Sequence, residues 1–395
     1  MRVLVVFDKF KDCMDSRRAQ DIAFEVFRAA RPSWQVQGLY LSDGGEGCAH
    51  TLTEAAAGEL RSCDVQDPRG RLRSAEYGLV AARNLSPAVQ QALALQGETT
   101  LGVVEMAQAS GLQGLEPDAR SVWETTTFGT GQLLAEAARQ GAGVILLGIG
   151  GSATQDLGLG ALQALGLGVI DDNKHQVSRA CPSAWQHLSE MDVSALQRLP
   201  PLWIATDVEN PLLGANGAAH TFAKQKGIAD QDIPQLELLT AKVARLMCAA
   251  FGKSLDVAEH AGMGAAGGIG FGLAVAQDAR LVSGAALVSQ WLGLADAVAH
   301  ADLIITGEGR FDMSSLQGKG PGAVIELAHR QRKPLWLFAG EITPEATRRL
   351  HESRSSVRLY PLAPKDWPLQ QALVEGPALL KLALERALGE TSALA

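Results

Sequence analysis

The sequence is poor in charged residues and has no concentrated block of basic ones. Charged side chains make up 20% of its 395 residues, a share that argues against long disordered stretches. The formal net charge is −8, and without a basic cluster this composition argues against nucleic acid as the main partner. No apolar run reaches the roughly 18 residues that a membrane-spanning helix needs. We therefore expect neither a nucleic-acid partner nor a membrane partner.

Cysteines with paired spacing are also absent, and so are two familiar catalytic motifs. The five cysteines are scattered without a CxxC pair, which argues against a disulfide scaffold or a structural zinc site. Neither a GxSxG nor an HExxH motif occurs. The short apolar run near Met1 is followed at once by charges and predicts a strand, not a signal peptide. We expect the protein in the cytoplasm.

The pattern of apolar runs predicts two α/β domains with a discontinuous boundary. Short buried strands alternate with amphipathic helices at both ends of the chain. Two strands at one end and three at the other are each too few for a stable parallel sheet, so we expect one five-stranded, doubly wound sheet. A Rossmann-like domain of residues 1–75 and 290–395 would then hold an inserted α/β domain of residues 76–289. The five predicted strands are Val3–Asp8, Val36–Leu41, Leu303–Thr306, Leu335–Ala339 and Val357–Leu362.

A glycine-rich segment, Gly148–Thr154, follows an apolar strand and precedes a helical pattern. The backbone N–H groups of such a turn lie at the positive end of the helix dipole, where they bind phosphate or carboxylate groups. Gly150, Gly151, Ser152 and Thr154 are therefore candidate binding residues. The alternative is a tight turn in which Ser152 is an ordinary N-cap. The segment matches neither the GxGxxG motif nor the P-loop.

Two acids flank paired glycines in the segment Ser42–Gly47, which lies between a strand and a helix. Ligands of α/β sheets bind at the carboxyl ends of the strands, so Asp43 and Glu46 are candidates for orienting a substrate hydroxyl. The alternative is that Asp43 caps the helix and Glu46 complements its dipole.

A third segment offers oxygen ligands for a metal. Asp207 ends an apolar strand, and Asn210 follows three residues later. Carboxylate and amide oxygens suit magnesium, so both are candidate metal ligands. Lys226 supplies a point charge for a phosphate. The alternatives are a local turn at Asp207 and a solvated pair of lysines that includes Lys226.

Charged residues also follow a predicted strand near the C-terminus. Glu308, Arg310 and Asp312 alternate, so in an extended chain all three point to one side. Arg310 can hold a carboxylate or phosphate through two hydrogen bonds. Lys319 lies in a loop before a helix, whose N-terminus attracts anions. The alternative is a surface loop with an internal ion pair.

Two weaker candidates complete the set. Lys11 lies just past the first predicted strand, where it would reach a phosphate or remain in a solvated loop. Gly267 lies in a glycine-rich stretch that would admit an adenine ring or a phosphate, or would serve close helix packing.

Taken in their order along the chain, these segments resemble those of the type 1 glycerate kinase family. The resemblance rests on SDGGEG at 42–47, GIGGSAT at 148–154, DVENPLLG at 207–214 with QKG at 225–227, and TGEGRFD at 306–312 with GK at 318–319. It covers residues 1 to about 375. It implies phosphorylation of D-glycerate with ATP, giving 2-phosphoglycerate in many members, at a site in a cleft between two α/β domains.

Several positions depart from the family pattern. The family usually begins with DSFKGS, of which Asp8, Phe10 and Lys11 are present here. GGSAT is usually followed by Asn-Asp-Gly-Gly, and here it is followed by Gln155–Gly158. These departures leave open a related small hydroxy acid as substrate, or 3-phosphoglycerate as product.

Phosphoryl transfer needs alignment and charge neutralisation more than covalent chemistry. We therefore expect ATP and Mg²⁺ as cofactors, with the roles divided among the candidate residues. The catalytic candidates are Asp207, Lys11 and Asp312; the metal ligands are Asp207, Asn210 and Asp312; the substrate ligands are Asp43, Glu46, Arg310 and Lys319; the cofactor ligands are Gly150, Gly151, Ser152, Thr154, Lys226 and Gly267.

Two other classes of function fit the sequence less well. A nicotinamide-dependent oxidoreductase would suit the sheet, but the first strand-to-helix turn, Phe7–Asp12, has no glycine. A non-catalytic sensor of sugar acids would not need so many charged glycine turns. The sequence leaves the oligomeric state open, including a homo-oligomer.

Overall fold

The computed structural model describes residues 1–39, 41, 45, 47–316, 320–352, 356–364 and 366–392. The chain divides into two compact units, one made of residues 1–42 and 288–395 and the other of residues 43–287. The α/β fold with a domain built from both chain ends agrees with the sequence prediction. Every helix in the described part of the chain is too short or too polar to cross a membrane.

Thirteen strands form in the described ranges, most of them short and apolar. In chain order they are β1 (Arg2–Phe7), β2 (Gln35–Gly38), β3 (Glu59–Gln66), β4 (Leu72–Ala81), β5 (Thr100–Glu105), β6 (Val144–Gly148), β7 (Gly168–Asp171), β8 (Leu188–Asp192), β9 (Leu202–Ala205), β10 (Arg280–Val282), β11 (Leu303–Phe311), β12 (Leu335–Ile342) and β13 (Val357–Pro361).

Fourteen α-helices alternate with these strands over the same described ranges. In chain order they are α1 (Ser16–Ala30), α2 (Cys48–Ala55), α3 (Pro87–Ala92), α4 (Met106–Ser110), α5 (Phe128–Arg139), α6 (Leu159–Ala164), α7 (Ala218–Phe222), α8 (Ile233–Phe251), α9 (Ile269–Gln277), α10 (Gly284–Trp291), α11 (Leu294–His300), α12 (Pro321–Arg330), α13 (Pro344–Glu352) and α14 (Leu369–Ser392).

The first unit is a doubly wound sheet of five parallel strands in the order β13-β12-β11-β1-β2. Successive side chains of β1 point to opposite faces and are buried on both. Val3 and Val5 pack with α1 and α14, whereas Leu4 and Val6 pack with α11 and α12. From β1 the chain winds to β2 on one side, and from β11 to β12 on the other. The topological switch point therefore lies between β1 and β11.

Helix α1 shows how local sequence specifies an element of this unit. The Asp15 side chain accepts a hydrogen bond from the backbone N–H of Arg18 at 2.7 Å and caps the helix. Ile22, Val26 and Phe27 recur at helical spacing and are buried against the sheet. The cap at Asp15 thus sets where α1 begins, and the amphipathic pattern sets which face it buries.

The second unit contains a six-stranded mixed sheet in the order β10-β9-β6-β5-β4-β3 and a small hairpin of β7 with β8. Strands β5, β6, β9 and β10 run parallel, while β3 and β4 are antiparallel additions. Its core joins the sheet to the helices α5, α6, α8 and α9.

The first domain boundary differs from the sequence prediction. The structure divides the units after residue 42, whereas the sequence placed the boundary near residue 75; the second division, after residue 287, lies near the predicted residue 289. The reason is that β3 pairs with β4, and β4 pairs with β5 of the second sheet. Backbone hydrogen bonds therefore join residues 59–75 to the inserted unit.

Candidate functional site

The carboxyl ends of β1 and β11 meet at the switch point of the first unit, where open α/β sheets bind ligands. Strand β11 continues further than Thr306, the end that the sequence predicted. It extends to Phe311 because Arg310 and Phe311 still pair with Glu341 and Ile342 of β12. The charged residues near the C-terminus therefore lie largely on a strand and not in a loop.

Glu308 follows directly after the last residue of β11 that pairs with β1, and its pKa is strongly raised. One of its carboxyl oxygens, Oε1, is buried without a hydrogen-bond partner. Burial raises the pKa of Glu308 to about 7; the negative charges of Asp8 and Asp312 add to the rise, and a hydrogen bond with Ser315 opposes it. A carboxyl group with this pKa can accept or donate a proton near neutral pH. The sequence pattern included Glu308 but no catalytic role was assigned to it.

Arg310 and Asp312 lie nearer to solvent. The Arg310 side chain is 63% exposed, and its Nε lies 3.4 Å from Glu341 Oε2 and 4.0 Å from Asp312 Oδ2. Asp312 Oδ1 accepts hydrogen bonds from the backbone N–H and hydroxyl of Ser314, which lower the pKa of Asp312. Arg310 thus combines an exposed guanidinium with loose acidic partners that a bound anion can replace.

Two glycines bring further groups to the same strand ends. A Cβ atom at Gly309 would lie 2.9 Å from the backbone nitrogen of Lys11, so the two backbones are in close contact, while the Lys11 side chain is exposed. A Cβ atom at Gly320 would lie 2.7 Å from Asp8 Oδ2, which places the start of α12 beside that carboxylate. Lys11, Glu308, Arg310 and Asp312 are therefore neighbours in this unit.

The glycine turn of the second unit differs from the expected helix cap. Its backbone pairs with the end of α4, because Gly151 O accepts from Leu112 N at 2.8 Å and Ala153 N donates to Ser110 O at 2.9 Å. Helix α6 begins only at Leu159. The Gly150–Ser152 turn therefore does not lie at the N-terminus of that helix, and the dipole argument for anion binding does not apply to it.

Three predicted cofactor residues meet at one peptide group of the second unit. The buried Lys226 donates a hydrogen bond from Nζ to the backbone oxygen of Thr154 at 2.6 Å. A Cβ atom at Gly267 would lie 2.1 Å from the same oxygen, so only glycine fits there. The Thr154 hydroxyl is itself buried without a partner. For Gly267 the structure shows the close packing that the sequence left as an alternative.

Asp156 was missed by sequence reasoning although it follows the glycine turn. Its fully buried carboxylate accepts five hydrogen bonds: from the hydroxyl and backbone N–H of Thr127, from the Thr126 hydroxyl, and from the backbone N–H groups of Gly158 and Gly160. Burial nevertheless raises the pKa of Asp156, against the effect of these donors. The carboxylate joins the N-terminal ends of α5 and α6.

Asp207 and Asn210 have local partners. Asp207 accepts from the Ser283 hydroxyl at 2.6 Å and from the backbone N–H of Ala285 at 2.8 Å, which anchors the start of α10. The Asn210 amide donates to the backbone oxygen of Asn216 at 2.7 Å. Within the described ranges no group of three or more His, Cys, Asp or Glu side chains is placed to hold a metal ion. The metal role of these residues stays a prediction.

Three predicted substrate ligands, Asp43, Glu46 and Lys319, lie outside the described residues. At the start of α2, the structure shows an acid that the sequence did not indicate. The buried carboxylate of Glu105 accepts from the backbone N–H groups of Gly47 and Ala49, at 3.0 and 3.2 Å. It therefore caps α2, although it is 58 residues away from Gly47 in the sequence.

Comparison with known proteins identifies the family. The model of the glycerate kinase family matches residues 3–391, nearly the whole chain. The chain belongs to the glycerate kinase family. It is therefore an enzyme, a kinase that phosphorylates an alcohol group, and the resemblance found in its motifs is confirmed.

Relatives within the family match this chain along most of their length. A glycerate kinase of Halalkalibacterium halodurans is 33% identical over 384 residues, which cover 96% of each chain. A glycerate 2-kinase of Escherichia coli is 33% identical over 348 residues, 87% of this chain and 86% of the relative. A crystal structure from Salmonella typhimurium LT2, described as a candidate glycerate kinase 2, superimposes with a TM-score of 0.75 at 31% identity and covers 100% of this chain and 98% of that one.

Proposed function

We propose that this enzyme transfers the terminal phosphoryl group of ATP to D-glycerate and forms 2-phosphoglycerate. The observation that carries the choice of product is the 33% identity to the Escherichia coli relative named glycerate 2-kinase. The charged strand ends of the first unit support it, because a small hydroxy acid needs a cation for its carboxylate and a base for its hydroxyl.

Glu308 is assigned as the base that accepts the proton of the glycerate hydroxyl. Its carboxyl group lies at the sheet's switch point, has one unpartnered oxygen, and titrates near neutral pH. In the deprotonated state it can take the hydroxyl proton as the phosphoryl group is transferred. The exposed guanidinium of Arg310 is assigned to the carboxylate of glycerate, which it can bind with two parallel hydrogen bonds.

The phosphates of ATP are assigned to the Gly150–Ser152 turn. The left-handed backbone of Gly151, with φ of +71°, lets the chain approach a ligand closely. The Thr154 hydroxyl has no hydrogen-bond partner but is fully buried, so it is not assigned to a phosphate. The prediction that substrate and ATP meet in a cleft between the domains stays a prediction.

Magnesium would bind together with the phosphates of ATP. The carboxylate oxygens of Asp207 already accept from Ser283 and Ala285, and the described residues hold no three-ligand cluster. In the described part of the chain, the protein groups do not form a magnesium site by themselves. Mg²⁺ commonly takes one or two carboxylates and completes its shell with phosphates and water, and it would supply charge neutralisation at the phosphates.

Phosphorus NMR of the product decides the reaction. Purified enzyme with ATP and D-glycerate should give the resonance of a phosphate ester on the 2-hydroxyl, and no product without enzyme. A resonance from the 3-position would overturn the proposed product. Faster turnover of another small hydroxy acid would overturn the proposed substrate, and a complete lack of phosphoryl transfer would overturn the function.

Removal of divalent cations by a chelator tests whether turnover depends on magnesium. We expect EDTA in excess to abolish turnover and added magnesium to restore it, because unscreened phosphates repel the attacking hydroxyl. The measurement is coupled ADP formation, with the coupling enzymes checked separately at the same free magnesium. Full activity at a negligible free divalent-cation concentration would contradict magnesium dependence.

A further inference from the structure

Lys226 is directed into the second unit instead of toward solvent. Its side chain is 1% exposed, and its ammonium group donates to the backbone oxygen of Thr154. Lys224, two residues earlier in the same 3₁₀ turn, has a 59% exposed side chain that pairs with Asp230 at 2.8 Å. One short turn thus presents one lysine to solvent and buries the other. A lysine that binds phosphate needs an accessible ammonium group, and Lys226 does not have one here.

The segment that Lys226 contacts, residues 153–158, is held from several other sides. Asp156 within it accepts five hydrogen bonds from the ends of α5 and α6 and from its own loop. Leu157 N donates to Gly267 O at 3.0 Å. A Cβ atom at Gly272 would lie 1.8 Å from Leu157 O, so α9 packs directly on this backbone. Residues from four parts of the chain therefore determine the shape of the 153–158 segment.

Two buried ionisable groups lie in this region, and the charge of Asp156 acts on Lys226. Burial lowers the pKa of Lys226 to about 7, and the negative charge of Asp156 opposes that change. Burial raises the pKa of Asp156. The charge of Asp156 therefore partly stabilises the charged form of Lys226, whereas the Asp156 carboxylate is stabilised by its five hydrogen-bond donors.

We propose that Lys226 and Asp156 are positioning residues, which hold the 153–158 segment in one conformation and thereby fix the preceding Gly150–Ser152 turn. Lys226 then acts on the nucleotide through the backbone and not by contact with a phosphate. The effect on ATP rests on the proposed function, whereas the effect on the segment is a property of the protein without ligand.

Hydrogen exchange of the ligand-free protein tests the segment directly. In Lys226→Met, we expect the backbone amides of residues 153–160 to exchange about tenfold faster or more. In the wild type, local opening must break the hydrogen bond from Lys226 to Thr154 O, and without that bond the free energy of opening is lower. Lys224→Met is the matched control and should leave this exchange unchanged. Mass spectrometry of peptides from this region, compared with peptides from α14, separates a local effect from global unfolding.

Steady-state kinetics on the same variants test the consequence. For Lys226→Met we expect the KM for ATP to rise about tenfold while the KM for glycerate changes little, because only the phosphate turn is loosened. Loss of ATP affinity with unchanged exchange would overturn the proposal and make Lys226 a direct ligand. Unchanged exchange with unchanged kinetics would overturn it as well.

A milder variant covers the case in which Lys226→Met does not fold. Thr126→Val keeps the side-chain shape and removes one of the five donors to Asp156. Faster exchange in the same peptides is expected, and wild-type exchange would contradict the role of Asp156. If the wild-type enzyme does not use ATP, the proposed function fails, but the exchange result still decides whether these residues position the segment.

Discussion

Asp156 in the second unit and Glu308 in the first are both carboxylic acids whose pKa is raised by burial, yet their surroundings differ. Asp156 is fully buried and accepts five hydrogen bonds, most of them from helix ends. Glu308 is partly buried at a strand end, has an unpartnered oxygen, and lies near the charges of Asp8 and Asp312.

The difference separates a structural acid from a reactive one. A carboxylate whose acceptor sites are already used stabilises the backbone that surrounds it. A carboxyl group with a free acceptor and like charges nearby can exchange its proton with a substrate. Burial alone therefore does not identify a catalytic acid, whereas the number of partners that its oxygens have is informative.

Amide substitution at both acids is the strongest test of this comparison. For Glu308→Gln we expect kcat to fall by about 10² or more with little change in thermal stability. For Asp156→Asn we expect a loss of about 2 kcal/mol in the free energy of unfolding, because the amide cannot accept all five donors. Kinetics and thermal melting of both variants are compared with Glu326→Gln, an exposed residue of α12. Near wild-type kcat for Glu308→Gln would refute its role as the base.

The pH dependence of Glu308 has a defined sign. The folded protein binds this proton more tightly than the unfolded chain, so the Glu308 contribution makes stability fall as pH rises from about 4.5 to about 7. The same group must lose its proton to act as a base, so kcat/KM should rise through that range. Both the pH dependence of stability and that of kcat/KM should weaken in Glu308→Gln. Thermal melting and kinetics measured over the same pH range test this, and an unchanged pH profile of kcat/KM in Glu308→Gln would contradict it.

Substitution of Arg310 should have a smaller effect on catalysis, and it tests whether the first unit binds the carboxylate of glycerate. In Arg310→Met we expect the KM for glycerate to rise about tenfold and kcat to change less, because ground-state binding of the carboxylate is lost. Stability should change by less than about 0.5 kcal/mol, since the ion pairs of Arg310 are exposed. Arg330→Met on α12 is the control. A change confined to the KM for ATP would assign Arg310 to the nucleotide instead.

Asp207 gives the smallest expected effect on catalysis. Because its carboxylate anchors the start of α10, we expect Asp207→Asn to lower the free energy of unfolding by about 1 kcal/mol and kcat by less than tenfold. Melting curves and kinetics of one preparation measure both quantities. A loss of about 10² in kcat at unchanged stability would instead support the metal or base role that the sequence suggested.

Features that depend on local pattern were predictable from the sequence. The five strands of the terminal sheet were predicted from the apolar residues near each of them, and all five are present in the structure. Strand β3 was missed because only one of its side chains is buried and it shows little apolar alternation. That omission displaced the predicted domain boundary toward residue 75.

Contacts between distant residues were not predictable from spacing. Lys226 looks like a solvated lysine in its own segment, and its partner Thr154 is 72 residues away. Asp156 likewise receives donors from Thr126 and Thr127, about one strand and one helix earlier in the chain. The burial of these side chains and their distant partners thus followed only from the tertiary fold.

The pairing of β1 with β11 has a consequence for synthesis. Val3 lies beside Leu303, so 300 further residues, up to and including Leu303, must be made after Val3 before the two can pair. At about 5–20 residues per second, β1 waits roughly 15–60 s for its neighbour. The inserted unit has all its strands within residues 43–287 and can fold during that interval. We therefore expect the first unit to be completed last, with the apolar strand β1 lacking its neighbour β11 until then.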